Sequence, residues 1–300
     1  MKVLITGATG LLGSELVKLL LQNGVKIHYL TTSKAKVDKE ENFKGFYWNP
    51  KTSEIDVEAF DEVETIIHLA GAPINQRWTS KGKQEIIESR VLSARLLFQT
   101  LSKRSHTVKH FISASAIGIY PHDFNKIYTE TENEIDDSFL ANVVAKWEDE
   151  ADQFSRLSIL VSKVRIGLVL AKEGGALVEF MKPIKLGLGA SFGTGNQYQS
   201  WIHIHDLAAL FYFIHQNALE GTFNAVAPYP VTNSELTKAI AKKISKPLFL
   251  PNLPKGMLKL LLGEMHTVLY TSHHVSARKI LDKGFQFKYP SIDKALQHLL

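Results

Sequence analysis

One short run constrains this chain more than any other. Gly7-Ala8-Thr9-Gly10-Leu11-Leu12-Gly13 lies between the apolar Val3-Leu4-Ile5 and a stretch in which Leu12, Leu16, Leu19 and Leu20 recur at helical spacing. This reads as strand, tight turn and helix. In such a unit the first glycine permits the sharp turn and the second lets backbone approach a pyrophosphate. The third allows the helix to pack closely on the strand, and unpaired N–H groups at the helix start attract negative charge. The spacing alone is weak evidence, but the flanking strand and helix are the context that the motif requires. The expected ligand is a dinucleotide, held by Gly7, Thr9, Gly10, Leu11, Leu12 and Gly13.

The rest of the chain repeats the alternation. Strand-like runs at Val25 to Thr31, Thr65 to Leu69, Val108 to Ser113 and Ser158 to Val164 are separated by helical patterns at Lys83 to Ser102 and Phe139 to Phe154. Alternating strands and helices specify a doubly wound parallel α/β sheet of Rossmann type, with ligands at the strands' carboxyl ends. Those ends carry Leu69, Ala70, Gly71 and Ala72, then Ser113 and Ala114, then Arg165 and Ile166. After the second strand comes Thr31-Thr32-Ser33-Lys34 with no acid to accept from the 2′-hydroxyl of NAD. Thr32, Ser33 and Lys34 therefore favour NADP, with NAD as the alternative.

Organisation changes near residue 170. Glycines crowd Gly174 to Gly195 in a polar stretch expected to be an irregular, cleft-covering loop, and prolines then punctuate short helices. The division expected is a dinucleotide domain over 1–170, joined by 200–225, and a smaller α/β lobe over 171–300. In that lobe Thr232 with Glu235 reads as a capping box, Leu258 to Leu262 as an apolar helix and Ser291 to Leu299 as a final amphipathic helix.

Composition sets limits. A 300-residue chain with 45% apolar residues can fill a large core, and the absence of cysteine removes disulfide and thiolate chemistry. The net charge of +5 is spread over scattered lysines, which argues against a nucleic-acid stripe. No apolar run approaches the ~18 residues of a membrane span, and Met1-Lys2 leads into the first strand without an export signal. The expectation is a cytoplasmic protein with a small-molecule substrate and neither nucleic-acid nor membrane partners. The pairs His203/His205 and His273/His274 lack acidic or sulfur neighbours at ligand spacing, so no metal is expected.

Several stretches carry a family resemblance. They are the glycine turn, Ala70-Gly71 and the Ser113 to Tyr120 cluster, followed by Arg77-Trp78, Trp147-Glu148, Gly174 to Leu177, Ser200 to Asp206, Asn224 to Pro228 and the Ala277 to Tyr289 segment. In these the chain resembles the extended short-chain dehydrogenase/reductase superfamily over essentially its whole length. More narrowly, it is similar to an atypical branch known as epimerase family or SulA-like proteins. The resemblance implies that Ser115 matches the serine that polarises a substrate oxygen. The superfamily's tyrosine and lysine positions fall instead on Leu140 and Val144, and its asparagine position falls near Arg90. Leu140 and Val144, four apart on an apolar helix face, read as core.

Any chemistry then needs another proton donor within hydrogen-bond reach, and Tyr120, five residues past Ser115, is the local candidate beside water. Arg90 can anchor an anionic substrate or a cofactor phosphate. Related enzymes place the Trp201 and His203 segment on the substrate side of the cleft; read from the residues alone, Asp206 caps a helix there and His203 is buried. The resemblance also allows a homodimer through the Lys83 to Ser102 and Phe139 to Phe154 helices. Two functions follow from these residues: an NADP-dependent oxidoreductase or nucleotide-sugar epimerase-like enzyme, or a non-catalytic dinucleotide-binding regulator, for which only the family name suggests a link to cell division.

Overall fold

The computed structural model describes residues 1–300, apart from the side chains of Lys39, Leu261 and Leu262. Its centre is a parallel sheet built from β1 (Lys2–Thr6), β2 (Lys26–Thr31), β3 (Phe43–Asn49), β4 (Thr65–His68), β5 (His110–Ala116), β6 (Leu160–Ile166) and β7 (Gly221–Ala225). The spatial order is β7-β6-β5-β4-β1-β2-β3, with short antiparallel strands Lys39–Glu40 and Glu54–Ile55 against β3. The order reverses direction between β1 and β4, and there a doubly wound sheet opens its ligand crevice.

Alternation along each strand sorts side chains to two faces. Val3, Ile5, Ile67, Ile112 and Val164 point to one core, which is closed by α1 (Leu11–Gln22) and α5 (Ile204–Gln216). Leu4, Ile66, Phe111 and Val161 point to the other, closed by α2 (Ser80–Leu101) and α3 (Phe139–Asp152). Phe111 stacks on Phe154 there, with ring centroids 3.6 Å apart. Within 200–225, α5 lies on α1 and β7 extends the sheet beside β6, whereas Trp201 joins the second core.

The second lobe has its own core, in which Leu177, Phe180 and Ile184 of α4 (Gly175–Lys185) meet Trp201, Leu236, Ile240, Leu296 and Leu299. Helix α6 (Asn233–Lys243) starts with the expected capping box between Thr232 and Glu235. Helices α7 (Lys255–Leu262), α8 (Thr267–Tyr270), α9 (Arg278–Asp282) and α10 (Ile292–Leu299) complete the chain. Among the described residues no helix is long and apolar enough to cross a membrane.

Three expectations need correction. The glycine-rich Gly174 to Gly195 stretch is not wholly irregular: α4 runs through it, because Leu177, Phe180, Met181 and Ile184 form an apolar stripe that outweighs Pro183. Strand β5 ends at Ala116 rather than Ser113, since Ala114, Ser115 and Ala116 go on pairing with Val164, Arg165 and Ile166. Asp206 does not cap α5. The cap is His203, whose Nδ1 accepts the His205 N–H at 3.0 Å, while Asp206 accepts the N–H groups of Lys288 and Tyr289, each at 2.9 Å.

Candidate dinucleotide site and buried polar network

The glycine turn has the geometry its composition demands. Gly7 adopts φ +74°, open to glycine at little cost, and a Cβ there would stand 3.0 Å from the Leu69 carbonyl group. A Cβ on Gly13 would overlap the Gly7 oxygen and stand 2.8 Å from the Ala8 backbone, so only glycine lets α1 pack this tightly on the turn. Gly10, at the N-cap, provides no side-chain cap, and the first turn of α1 holds no acid. The helix start therefore presents unpaired N–H groups and positive dipole to the crevice, which fits a diphosphate. Leu11 lies against Gly174, placing the start of α4 over the same turn.

At the end of β2, Thr32 and Lys34 are exposed and Ser33 is partly so, with the Lys34 ammonium 4.8 Å from the Tyr47 ring centroid. The nearest acid along the chain, Asp38, is engaged with the Tyr29 phenol.

Behind the turn after β4 runs a network that sequence reasoning did not find. The Thr6 hydroxyl oxygen accepts the N–H groups of Leu69 and Ala70 at 3.1 Å each and lies 2.7 Å from His68 Nδ1. On its other side His68 Nε2 is 3.1 Å from Ser93 Oγ, which donates to the Ser89 carbonyl at 2.6 Å. Ser89 Oγ in turn accepts the Ala72 N–H at 2.9 Å. Ala70, Gly71 and Ala72 are thus held from both β1 and α2. Burial pushes His68 down to about pKa 3, so it remains a neutral relay of hydrogen bonds.

Ser115 and Tyr120 are brought together, in a buried cluster around Glu148 and Arg165. The Ser115 hydroxyl donates to Glu148 Oε1 at 2.6 Å, and Arg165 grips both carboxylate oxygens at 2.8 and 2.9 Å. Arg165 also donates to the Tyr120 oxygen at 3.0 Å, and Tyr120 donates its own proton to Asn224 Oδ1 at 2.8 Å. Burial alone would raise the Glu148 carboxyl, but the Arg165 hydrogen bonds and charge outweigh it and hold it below its usual range. Burial pushes the Tyr120 phenol up in spite of Arg165. Ser113 points its hydroxyl to the Ala114 carbonyl at 2.9 Å. Glu148 carries a readable signal: a carboxylate on the apolar stripe of α3, one turn past Val144, requires a buried cation.

Leu140 lies beside Gly118, and Val144 packs with Tyr120, Tyr128 and Val226. Trp201 and His203, expected on the substrate side, are instead fully buried. Trp201 donates to the Tyr229 carbonyl, and His203 stacks on Tyr289 at 3.9 Å. His203 also meets His298, which the sequence did not link to it, with Nε2 3.1 Å from Nδ1. Ring nitrogens of His203, His205 and His298 lie within 4.8 Å of one another. Yet His203 Nδ1 already accepts a backbone N–H, so its Nε2 carries the proton and has no lone pair for a metal.

Known proteins share this fold. The NAD dependent epimerase/dehydratase family profile matches residues 3–140, and a domain of unknown function, DUF1731, matches 253–299. An epimerase family protein of Staphylococcus aureus is 36% identical over 301 aligned positions, covering 99% of this chain and 98% of the relative. The chain belongs to the epimerase family. A Staphylococcus epidermidis member is also 36% identical, over 100% of this chain and 99% of its own. Among solved structures, a human epimerase family protein with NADPH superimposes at TM-score 0.85 with 27% identity, over 100% of this chain and 99% of that one. A nucleoside-diphosphate sugar epimerase from Corynebacterium glutamicum gives TM-score 0.79 at 29% identity, over 100% of this chain and 58% of that one. This epimerase family member is thus an atypical short-chain dehydrogenase/reductase.

Proposed function

We propose that this epimerase family member is an NADP(H)-dependent oxidoreductase or epimerase acting on a small polar substrate. The observation that carries this reading is the uncapped, acid-free start of α1 behind the Gly7 and Gly13 turn. The human relative described with NADPH and the lack of an acid over Thr31 to Lys34 favour the phosphorylated cofactor. Bound there, the cofactor supplies hydride exchange at its nicotinamide. In this reading Gly7, Thr9, Gly10 and Leu11 to Gly13 receive the diphosphate, while Thr32, Ser33 and Lys34 receive the 2′-phosphate. Leu69 to Ala72, Ser113, Ala114 and Ile166 line the remainder of the cofactor cleft.

Ser115 is the substrate-side hydroxyl of this reading. Its proton is already donated to Glu148, so it offers lone pairs to a substrate hydroxyl. Arg165 braces that carboxylate and is itself held by the Tyr120 oxygen, and water supplies the proton that the superfamily tyrosine would have carried. The test is NADPH oxidation against a panel of carbonyl compounds, with thermal shifts by NADPH and NADH. NADPH should stabilise more than NADH, because a ligand bound only by the native state raises stability by mass action. Turnover should fall in Ser115→Ala. Equal shifts remove the NADP assignment, and turnover unchanged in both Ser115→Ala and Tyr120→Phe removes the roles given to them.

A non-catalytic regulator is the second reading, and one observation favours it: the hydroxyls of Ser115 and Tyr120 are buried and both are already paired. Tight NADPH binding without turnover on any compound of the panel would select it.

A further inference from the structure

Two arginines, one buried and one half-buried, lie near the sheet's carboxyl edge, and they are treated differently. Arg165 is paired bidentately with Glu148. Arg90, on α2, is half-buried, and among the described residues no carboxylate lies within ion-pair distance of it. Its Nη1 donates to the Ala72 and Ile86 carbonyls at 3.2 and 2.9 Å, and among the described residues no hydrogen bond uses Nε or Nη2. A guanidinium withdrawn from water without a counter-charge costs stability, and burial lowers its pKa to about 10. Such a cost suits a group reserved for a ligand.

The surroundings fit an anion. Gly71 packs on the flat face of the guanidinium, for a Cβ there would stand 3.0 Å from Cζ and 3.2 and 3.3 Å from Nη2 and Nε. On another side the guanidinium lies 5.0 Å from the Trp147 ring, whose Nε1 is buried with no partner. Two side chains with unpartnered donors therefore adjoin, next to the turn that closes the dinucleotide crevice. The Nε and Nη2 edge is the fork that pairs side-on with a planar carboxylate.

We infer that Arg90 seats a carboxylate carried by the substrate, on its Nε and Nη2 edge. This deepens the proposed function and rests on the cleft being a cofactor site. The cofactor's phosphates have their own receptor at the α1 start.

Calorimetric titration of oxalate into NADPH-saturated protein tests the inference, since the cofactor then blocks the α1 start. Oxalate should bind the wild type. Arg90→Gln and Arg90→Lys should each weaken it about 10-fold or more, the worth of a charged hydrogen-bond pair, while NADPH affinity stays within about 2-fold. Arg90→Lys keeps the positive charge but not the fork, so it covers the case in which Arg90→Gln fails to fold. No oxalate binding by the wild type, or binding unchanged in both variants, overturns the seat. NADPH affinity falling together with oxalate affinity makes Arg90 a cofactor ligand and overturns it equally. If the wild type binds no NADPH, the proposed function fails by itself, and oxalate titrated into cofactor-free wild type and Arg90→Gln still decides the seat.

Discussion

Replacing Glu148 by Gln should unfold this protein more readily than any surface change, because it removes one half of a buried ion pair. The carboxylate and guanidinium side chains are 8% and 9% exposed, and Lys163 Nζ stands a further 3.8 Å from Glu148 Oε2. Without the carboxylate charge, Arg165 and Lys163 face each other across a site with little water. Breaking a buried pair from one side costs about 3–5 kcal/mol, a large part of the ~5–15 kcal/mol that holds most domains folded. Urea unfolding at neutral pH would read this as a lower midpoint with an unchanged slope.

Two controls isolate the cause. Ser115→Ala removes one donor but leaves the pair intact, so it should cost only about 1 kcal/mol. Glu148→Leu combined with Arg165→Met removes both charges and should recover most of the single-variant loss. The pH dependence has a definite sign. Glu148 is depressed in the folded state, so its contribution is present above the unfolded value near ~4.3 and is lost as pH falls through the folded one. The gap between wild type and E148Q should thus narrow in acid. A loss below about 1 kcal/mol at neutral pH, or a gap that widens in acid, would refute the account of Glu148 as an ionised partner of Arg165.

Further outcomes follow from other parts of the fold. Gly13→Ala forces α1 off the turn, so it should cost about 1–3 kcal/mol or more and abolish stabilisation by NADPH in the same thermal melts. Burial holds His68 and His203 near pKa 3 and His110 and His215 near 4, each below its unfolded value of about 6.5. The unfolded chain therefore binds their protons first, and stability should fall as pH drops from about 6.5 towards 4. Urea midpoints measured across that range should show unfolding taking up protons at pH 5, about four of them on these rings. A flat profile would mean that these rings are charged in the native state. Replacing His298 by Ala removes the acceptor facing His203 Nε2 and should loosen α10, seen as faster amide exchange over Ile292–Leu299 than elsewhere in the lobe.

Local pattern was enough for the parts whose cause is local. The Gly7 to Gly13 turn, the alternation of strand and helix, the Thr232 capping box and the apolar nature of Leu140 and Val144 are all set by residues within a few positions of one another. Each could be read before any chain partner was known. What the sequence could not determine is which distant polar groups meet. Thr6, His68, Ser89 and Ser93 come from β1, β4 and α2, and Ser115, Tyr120, Glu148, Arg165 and Asn224 come from five separate segments; no spacing along the chain encodes those contacts. Tertiary packing also decided that Trp201 and His203 are sealed inside the protein, and that of two arginines beside the sheet only Arg165 has a carboxylate. A hydrogen bond or ion pair needs its partner within about 3 Å in space, and for residues tens of positions apart only the folded chain supplies that distance.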